Sequence, residues 1–214
     1  MAGATIGAHG ALTVTRAMRT NLPDVLAAGD CAETHHRLFA GPRYISLGTI
    51  AHKQGRVAGE NAVRSAGERL FAGTLGSQSL KVFDLAIART GVGDAEAREA
   101  GFDPLTVQTE ANDHKAYYPG AMPLQLRVTG DRKTGRLLGA QILGAKQAEI
   151  SKRIDVFAAA LFQALTVEDL NELDLTYTPP FSSPWDPLQM AAQSWLQAEG
   201  REKDRKSKLD EQRV

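Results

Sequence analysis

The chain has a single cysteine, Cys31, among 214 residues, so it can form neither an internal disulfide nor a C-x-x-C pair for zinc or dithiol chemistry. That usage fits a reducing cytoplasm. It also lacks net charge: 25 Lys and Arg stand against 25 Asp and Glu, which gives no pull toward nucleic acid or an anionic membrane. Long hydrophobic runs are missing. The longest near-apolar stretch, Val156–Leu165, is far too short to span a bilayer. The opening MAGATIGAHGALTV has no basic segment ahead of an apolar one, so no signal peptide is expected. There is no internal repeat and no G-x-G-x-x-G. His35 and His36 form no metal set and are expected to face solvent.

What is present is organised around Leu124–Gly144. Leu124, Leu126 and Val128 alternate with Gln125, Arg127 and Thr129, the period of a half-buried strand. Residues 130–135 carry two glycines and several charges, a turn composition. The return run Leu137–Leu143 is apolar on both faces, with Gly139 and Ala140 leaving room for close neighbours. A lone hairpin is marginal in water, so further strands and helices must cover it. Leu80–Thr90 and Leu105–Thr109 read as strands, and Asp94 can cap a short helix ending at Gly101. Ile150, Ile154, Phe157, Leu161 and Leu165 make one helical stripe, with Lys152 and Arg153 off it. Thr166–Asp169 is a capping arrangement, and Asp186-Pro187 starts a further helix. Strands first and helices last predict an α+β fold, an antiparallel sheet with helices on one side.

Upstream, Asn21–Asp24 is a turn, Val25–Ala28 a short strand, and Ser46 to about Ser65 a helix. Gly48, Ala51, Gly55, Ala58, Gly59 and Ala62 share one side of that helix, which suits close approach of a backbone or a flat ligand; plain helix-on-sheet packing explains the spacing as well. The glycine-rich break from Gly67 to Ser79 predicts three parts: 1–66 as a partial α/β segment, 67–200 as the α+β domain, and 201–214 as a charged, disordered tail.

A strand ending in Gly29-Asp30 places a carboxylate where open α/β sheets bind ligands, although a turn-capping aspartate looks the same. The full string TNLPDVLAAGD, Thr20 to Asp30, resembles the second flavin-binding motif of the FAD-dependent pyridine nucleotide–disulfide oxidoreductases. SLGTIAHKQGRVAGEN, Ser46 to Asn61, resembles the helix that aims its N-terminus at the flavin ring in that family. HKAYYPG (114–120), KRIDVFAAALFQALTVEDL (152–170) and YTPPFSSPWDP (177–187) are similar to the coenzyme A disulfide reductase and NADH oxidase-like branch. The resemblance covers essentially residues 1–196.

It implies that 1–66 is the end of a FAD-binding domain and 67–200 a dimerisation domain. Thr20, Asn21, Pro23, Gly29, Asp30, Leu47, Gly48, Thr49 and Tyr177 then fall at the flavin, Asp30 on its ribityl chain. Tyr117 and Tyr177 fall at the catalytic centre of the partner subunit, where a phenol can donate to a thiol leaving group. His52 and Trp185 fall at the substrate. Trp185 departs from the branch, which carries a lysine there for a phosphate-bearing substrate. The family's two G-x-G-x-x-G turns and its reactive cysteine have no counterpart here, and Cys31 reads as inert. The chain is therefore expected to be the dimerisation portion of a reductase for CoA disulfide or persulfide, or of an NADH oxidase. It would form a homodimer and be inactive alone, with FAD and NAD(P)H held by the whole enzyme. The alternatives are a non-enzymatic dimerising module and one subunit of a split reductase. His114 can fix its loop, and Tyr118 beside Pro119 can simply pack.

Overall fold

Two buried stripes nucleate two separate cores. The computed structural model describes residues 3–211, and these divide into two units between Gly76 and Ser77. The first unit holds a pair of antiparallel strands of two residues each, β1 (Thr34–His35) with β2 (Pro42–Arg43), and a long helix, α1 (Gly48–Val63). α1 buries Ile50, Gln54, Val57 and Asn61, positions separated by three or four residues and so on one face. Ile50 and Val57 pack with Met18 and Phe71, edged by Val14, Leu26 and Leu47. Burying side chains of this size stabilises by about 1.5–3 kcal/mol each.

On the small-residue side of α1, Ala58 edges this core and Ala51 lies against Gly29, but the glycines do not take part. A Cβ at Gly48, Gly55 or Gly59 would meet no atom within 4 Å. Val25–Ala28 contributes only an isolated bridge, Arg19 to Leu26, because no second strand lies alongside it among the described residues. Residues 67–76 belong with this unit and not with the second as the glycine break suggested. Phe71 packs with Met18 and with Ile50 and Val57 of α1, and its N–H donates to Arg16 O at 2.7 Å. His36 is buried rather than solvent-facing; Leu38 N–H donates to its Nδ1, and the ring meets Phe39 edge-on at 5.1 Å.

The second unit is an antiparallel sheet with helices packed on one face, as the strand-then-helix order predicts. Its strands are β3 (Gln78–Val82), β4 (Leu85–Gly91), β5 (Pro104–Asn112), β6 (Pro123–Asp131) and β7 (Leu137–Ala145), in the order β3-β4-β7-β6-β5. The run read as one strand over 80–90 is a hairpin. Phe83, at φ 52°, and Asp84 reverse the chain between Val82 and Leu85, so the sheet has five strands instead of four. Leu124, Leu126 and Val128 lie on the buried face, paired with Gly144, Ile142 and Ala140 of β7.

α3 (Ile150–Phe162) covers β4 and β7 with Ile150, Ile154, Phe157 and Leu161. α5 (Pro187–Glu211) covers β5 and β6, and the short α2 (Asp94–Glu99) and α4 (Val167–Asn171) fill the edges. Thr166 caps α4 as expected: its Oγ1 accepts from Asp169 N–H at 3.0 Å. α2 starts one residue earlier than expected, with Gly93 at the cap and Asp94 in the first turn. Helix α5 also runs through the segment expected to be disordered, as far as Glu211. Its residues there are strong helix formers, and Glu202 accepts from Arg132 Nε at 2.9 Å while Lys203 pairs with Glu199 at 2.6 Å. Residues 212–214 lie outside the described residues.

Candidate functional site

In the first unit the sequence builds a turn held open toward solvent. Thr20 Oγ1 donates to Val25 O at 2.9 Å and accepts Leu22 N–H at 3.1 Å, closing the Asn21–Asp24 reversal. The Asn21 side chain binds Thr5 N–H at 2.7 Å and Gly3 O at 3.0 Å, and Pro23 is exposed. Gly29 sits at φ +82° against α1; a Cβ there would lie 3.3 Å from Ala51 Cβ, so glycine is needed for both the φ and the approach. Its N–H donates to Gln54 Oε1 at 2.8 Å, and Gln54 Nε2 donates to Thr34 Oγ1 at 3.0 Å. The side chain of Asp30 is left exposed just beyond. The N-terminus of α1, at Leu47, Gly48 and Thr49, has no side-chain cap and no acid in its first turn, so its positive end is not neutralised locally. His52 is exposed one turn further along.

In the second unit two loops carry the two tyrosines. The first, residues 113–122, is closed at its neck: Asp113 N–H donates to Met122 O at 2.9 Å, and Asp113 Oδ1 accepts the N–H groups of His114 and Met122. His114 Nδ1 lies 3.0 Å from the same oxygen, and its ring meets Tyr118 edge-on at 6.0 Å. The second loop, residues 174–186, ends where Asp186 caps α5 through Leu188 N–H at 2.9 Å. The loops join directly, Lys115 N–H to Pro179 O at 3.4 Å.

Tyr117 and Tyr177 are brought together by this packing. Desolvation, the negative charge of Tyr117 when it ionises and a hydrogen bond with it hold the Tyr177 hydroxyl above its usual pKa. Around them Tyr117 is 75% exposed, Phe181 75% and Trp185 57%. A cleft of about 350 Å³ lies beside the second loop, lined by Glu149, Lys152, Thr176, Phe181 and Ser182 among others.

Thus Tyr117, Tyr177 and Trp185 share one loop pair, while Thr20, Asn21, Pro23, Gly29, Asp30, Leu47, Gly48, Thr49 and His52 lie in the first unit. Sequence reading missed two positioning side chains. Gln54 was legible in principle, because it occupies the same face of α1 as Ile50, Val57 and Asn61. Arg153 was not: it lies off the apolar stripe of α3, which reads as solvent-facing, yet its side chain is only 11% exposed.

Residues 77–187 match the family model described as "Pyridine nucleotide-disulphide oxidoreductase, dimerisation domain". That match covers half the chain, and the chain belongs to this family. Among curated proteins it is 40% identical over 191 residues to an NAD(P)H sulfur oxidoreductase (CoA-dependent) of Pyrococcus furiosus, covering 89% of this chain and 42% of that protein. It is 35% identical over 181 residues to a coenzyme A disulfide reductase of Staphylococcus aureus, covering 85% of this chain and 40% of that one. Among solved structures it matches a NAD-dependent persulfide reductase from A. fulgidus with a TM-score of 0.85 and 37% identity, over 94% of this chain and 36% of that one. The chain thus spans about two fifths of the length of the curated relatives it matches. Among the described residues no helix is long and apolar enough to cross a membrane.

Proposed function

We propose that the chain forms the pairing half of a flavin-dependent NAD(P)H oxidoreductase of the cytoplasm that reduces a disulfide or persulfide. The observation that carries this reading is the coming together of Tyr117 and Tyr177 on two bonded loops whose neighbours Phe181 and Trp185 are exposed. Apolar and aromatic surface of this kind marks a surface for another subunit, and a second copy of the chain is the occupant the dimerisation-domain match favours.

The first unit fits a bound FAD in two respects. Asp30 is exposed to accept from sugar-type hydroxyls, and the uncapped α1 terminus at Leu47–Thr49 suits negative charge. Thr20 and Asn21 serve the turn itself, since their side chains are occupied within the unit. When bound, FAD supplies the hydride and electron chemistry of the reaction.

The part taken by this chain is proton management. When a thiolate from outside the chain attacks a disulfide, one sulfur forms the new bond and the other leaves with the electron pair. Tyr177, whose phenol keeps its proton to higher pH than usual, donates a hydrogen bond or the proton to that leaving sulfur and regains a proton from solvent. Trp185 and His52 face the substrate in this reading. Tryptophan offers an aromatic surface where a lysine would select phosphate, so a persulfide or a small disulfide is favoured over CoA disulfide.

Native mass spectrometry tests the reading. A dimer carrying little or no FAD, with no oxidation of NADH, is expected of this chain alone. Monomers that carry stoichiometric FAD and consume NADH would refute it.

A further inference from the structure

Arg153 makes more hydrogen bonds than any other side chain around the tyrosine loops, and it joins elements that are remote in sequence. Its Nη2 donates to Asp113 O at 2.7 Å, at the neck of the Tyr117 loop. The same nitrogen donates to Phe181 O at 3.2 Å, in the Tyr177 loop. Nη1 donates to Asp186 Oδ2 at 3.3 Å, and Nε donates to Ala148 O at 3.2 Å, just ahead of α3. Asp186 Oδ2 also accepts Ser182 Oγ at 2.6 Å, so the far end of the second loop is tied to the same carboxylate. Arg153 and Asp186 are each about nine-tenths buried, and a charge pair so placed is retained only where its hydrogen bonds are satisfied.

We propose that Arg153 is the positioning residue of the tyrosine site: its fork fixes the distance between the loops that carry Tyr117 and Tyr177. The planar guanidinium has five N–H donors in fixed directions, and here they reach two carbonyls on different loops, one carboxylate and one helix-entry carbonyl. No other cation among the described residues is shown bridging both loops. Among the described residues, one backbone hydrogen bond crosses directly between the irregular segments 113–122 and 174–186, the Lys115–Pro179 contact at 3.4 Å. Without Arg153 that contact and the pairing of the two phenols would be left to hold them in register. The role of the tyrosines in reduction is the reading given above, on which this proposal rests; the geometry of the clamp can be tested without it.

The test is the coupling between the two phenols, followed by NMR titration of the chain carrying isotope-labelled tyrosine. In the wild-type background Tyr117→Phe is expected to shift the ionisation of Tyr177 to lower pH. In Arg153→Gln the Tyr177 titration is expected to be already shifted, and adding Tyr117→Phe to change it no further. Arg153→Lys keeps a cation against Asp186 but lacks the fork; it is expected to behave like Arg153→Gln, and it carries the test if the glutamine variant does not fold. An equal effect of Tyr117→Phe with and without Arg153 overturns the proposal, as does full rescue by lysine. Failure of the reductase reading would look different: Tyr177→Phe would leave disulfide turnover of the complete enzyme unchanged, while in the wild-type background the coupling of the two phenols still depended on Arg153.

Discussion

Gln54→Leu should loosen the turn that presents Asp30 while leaving the helix beneath it intact. Gln54 has no exposed surface, and both ends of its amide are used. Leucine has a similar volume and favours helix, so α1 keeps its packing. Two groups lose their partner. Thr34 is 2% exposed and its oxygen loses a donor, a loss its rotatable O–H can offset in part by donating elsewhere, while the N–H of Gly29 is fixed by the φ of +82° and points at α1. A buried donor left unpaired costs about 1–3 kcal/mol. Gly29 is half-buried, so its share falls at the low end of that range. With the hydroxyl included, the local loss comes to about 2 kcal/mol, which is roughly a thirtyfold change in an opening equilibrium. Amide hydrogen exchange reads this directly: the Gly29 amide should exchange roughly thirtyfold faster in the variant, with smaller changes along α1. Exchange at Gly29 within about twofold of wild type would show that the glutamine does not hold the turn.

Three further outcomes follow from the second unit. Trp195→Phe removes the indole N–H that donates to Leu105 O at 2.7 Å in a site 1% exposed, and should cost about 1–3 kcal/mol in urea denaturation. Gly139→Ala places a Cβ 2.1 Å from Val92 O and 2.7 Å from Val92 N, both backbone, so it should cost about 3 kcal/mol or prevent folding; circular dichroism melts would show it. Asp131 governs acid stability. Burial pushes its carboxyl up, but hydrogen bonds from the Thr134 hydroxyl and from the N–H groups of Asp103, Lys133 and Thr134 outweigh that, leaving its pKa below the ordinary value. A depressed folded-state pKa stabilises the protein above the unfolded value of about 3.9 and loses that contribution as pH falls through the folded one. Asp131→Asn should therefore be less stable than wild type at neutral pH, and the gap should close in acid; a gap independent of pH would refute the assignment.

The sheet was legible because its signals are local. Alternation at Leu124, Leu126 and Val128 reports a one-sided strand, and the stripe Ile150–Ile154–Phe157–Leu161 reports the helix that covers it; both periods follow from backbone geometry alone. Caps at Thr166 and Asp186 were legible for the same reason, since donor and acceptor lie within three residues of each other. The boundary near Gly67 misled because glycine content reports flexibility of the chain and says nothing of where Phe71 finds its apolar neighbours. The charged C-terminal run misled because polarity does not oppose helix once a preceding helix has nucleated it.

The family and the identity of the two tyrosines were written in the sequence, in short strings whose order survives without any fold. Only the tertiary structure decided what holds them in place. Arg153 is one polar residue among many on a helix, and nothing in its neighbours announces that two loops, from positions 40 residues upstream and 28 downstream, converge on its guanidinium. Local pattern fixes which face of an element is apolar; the partners of a long polar side chain are set by which distant backbone carbonyls the packing of the core leaves unpaired beside it.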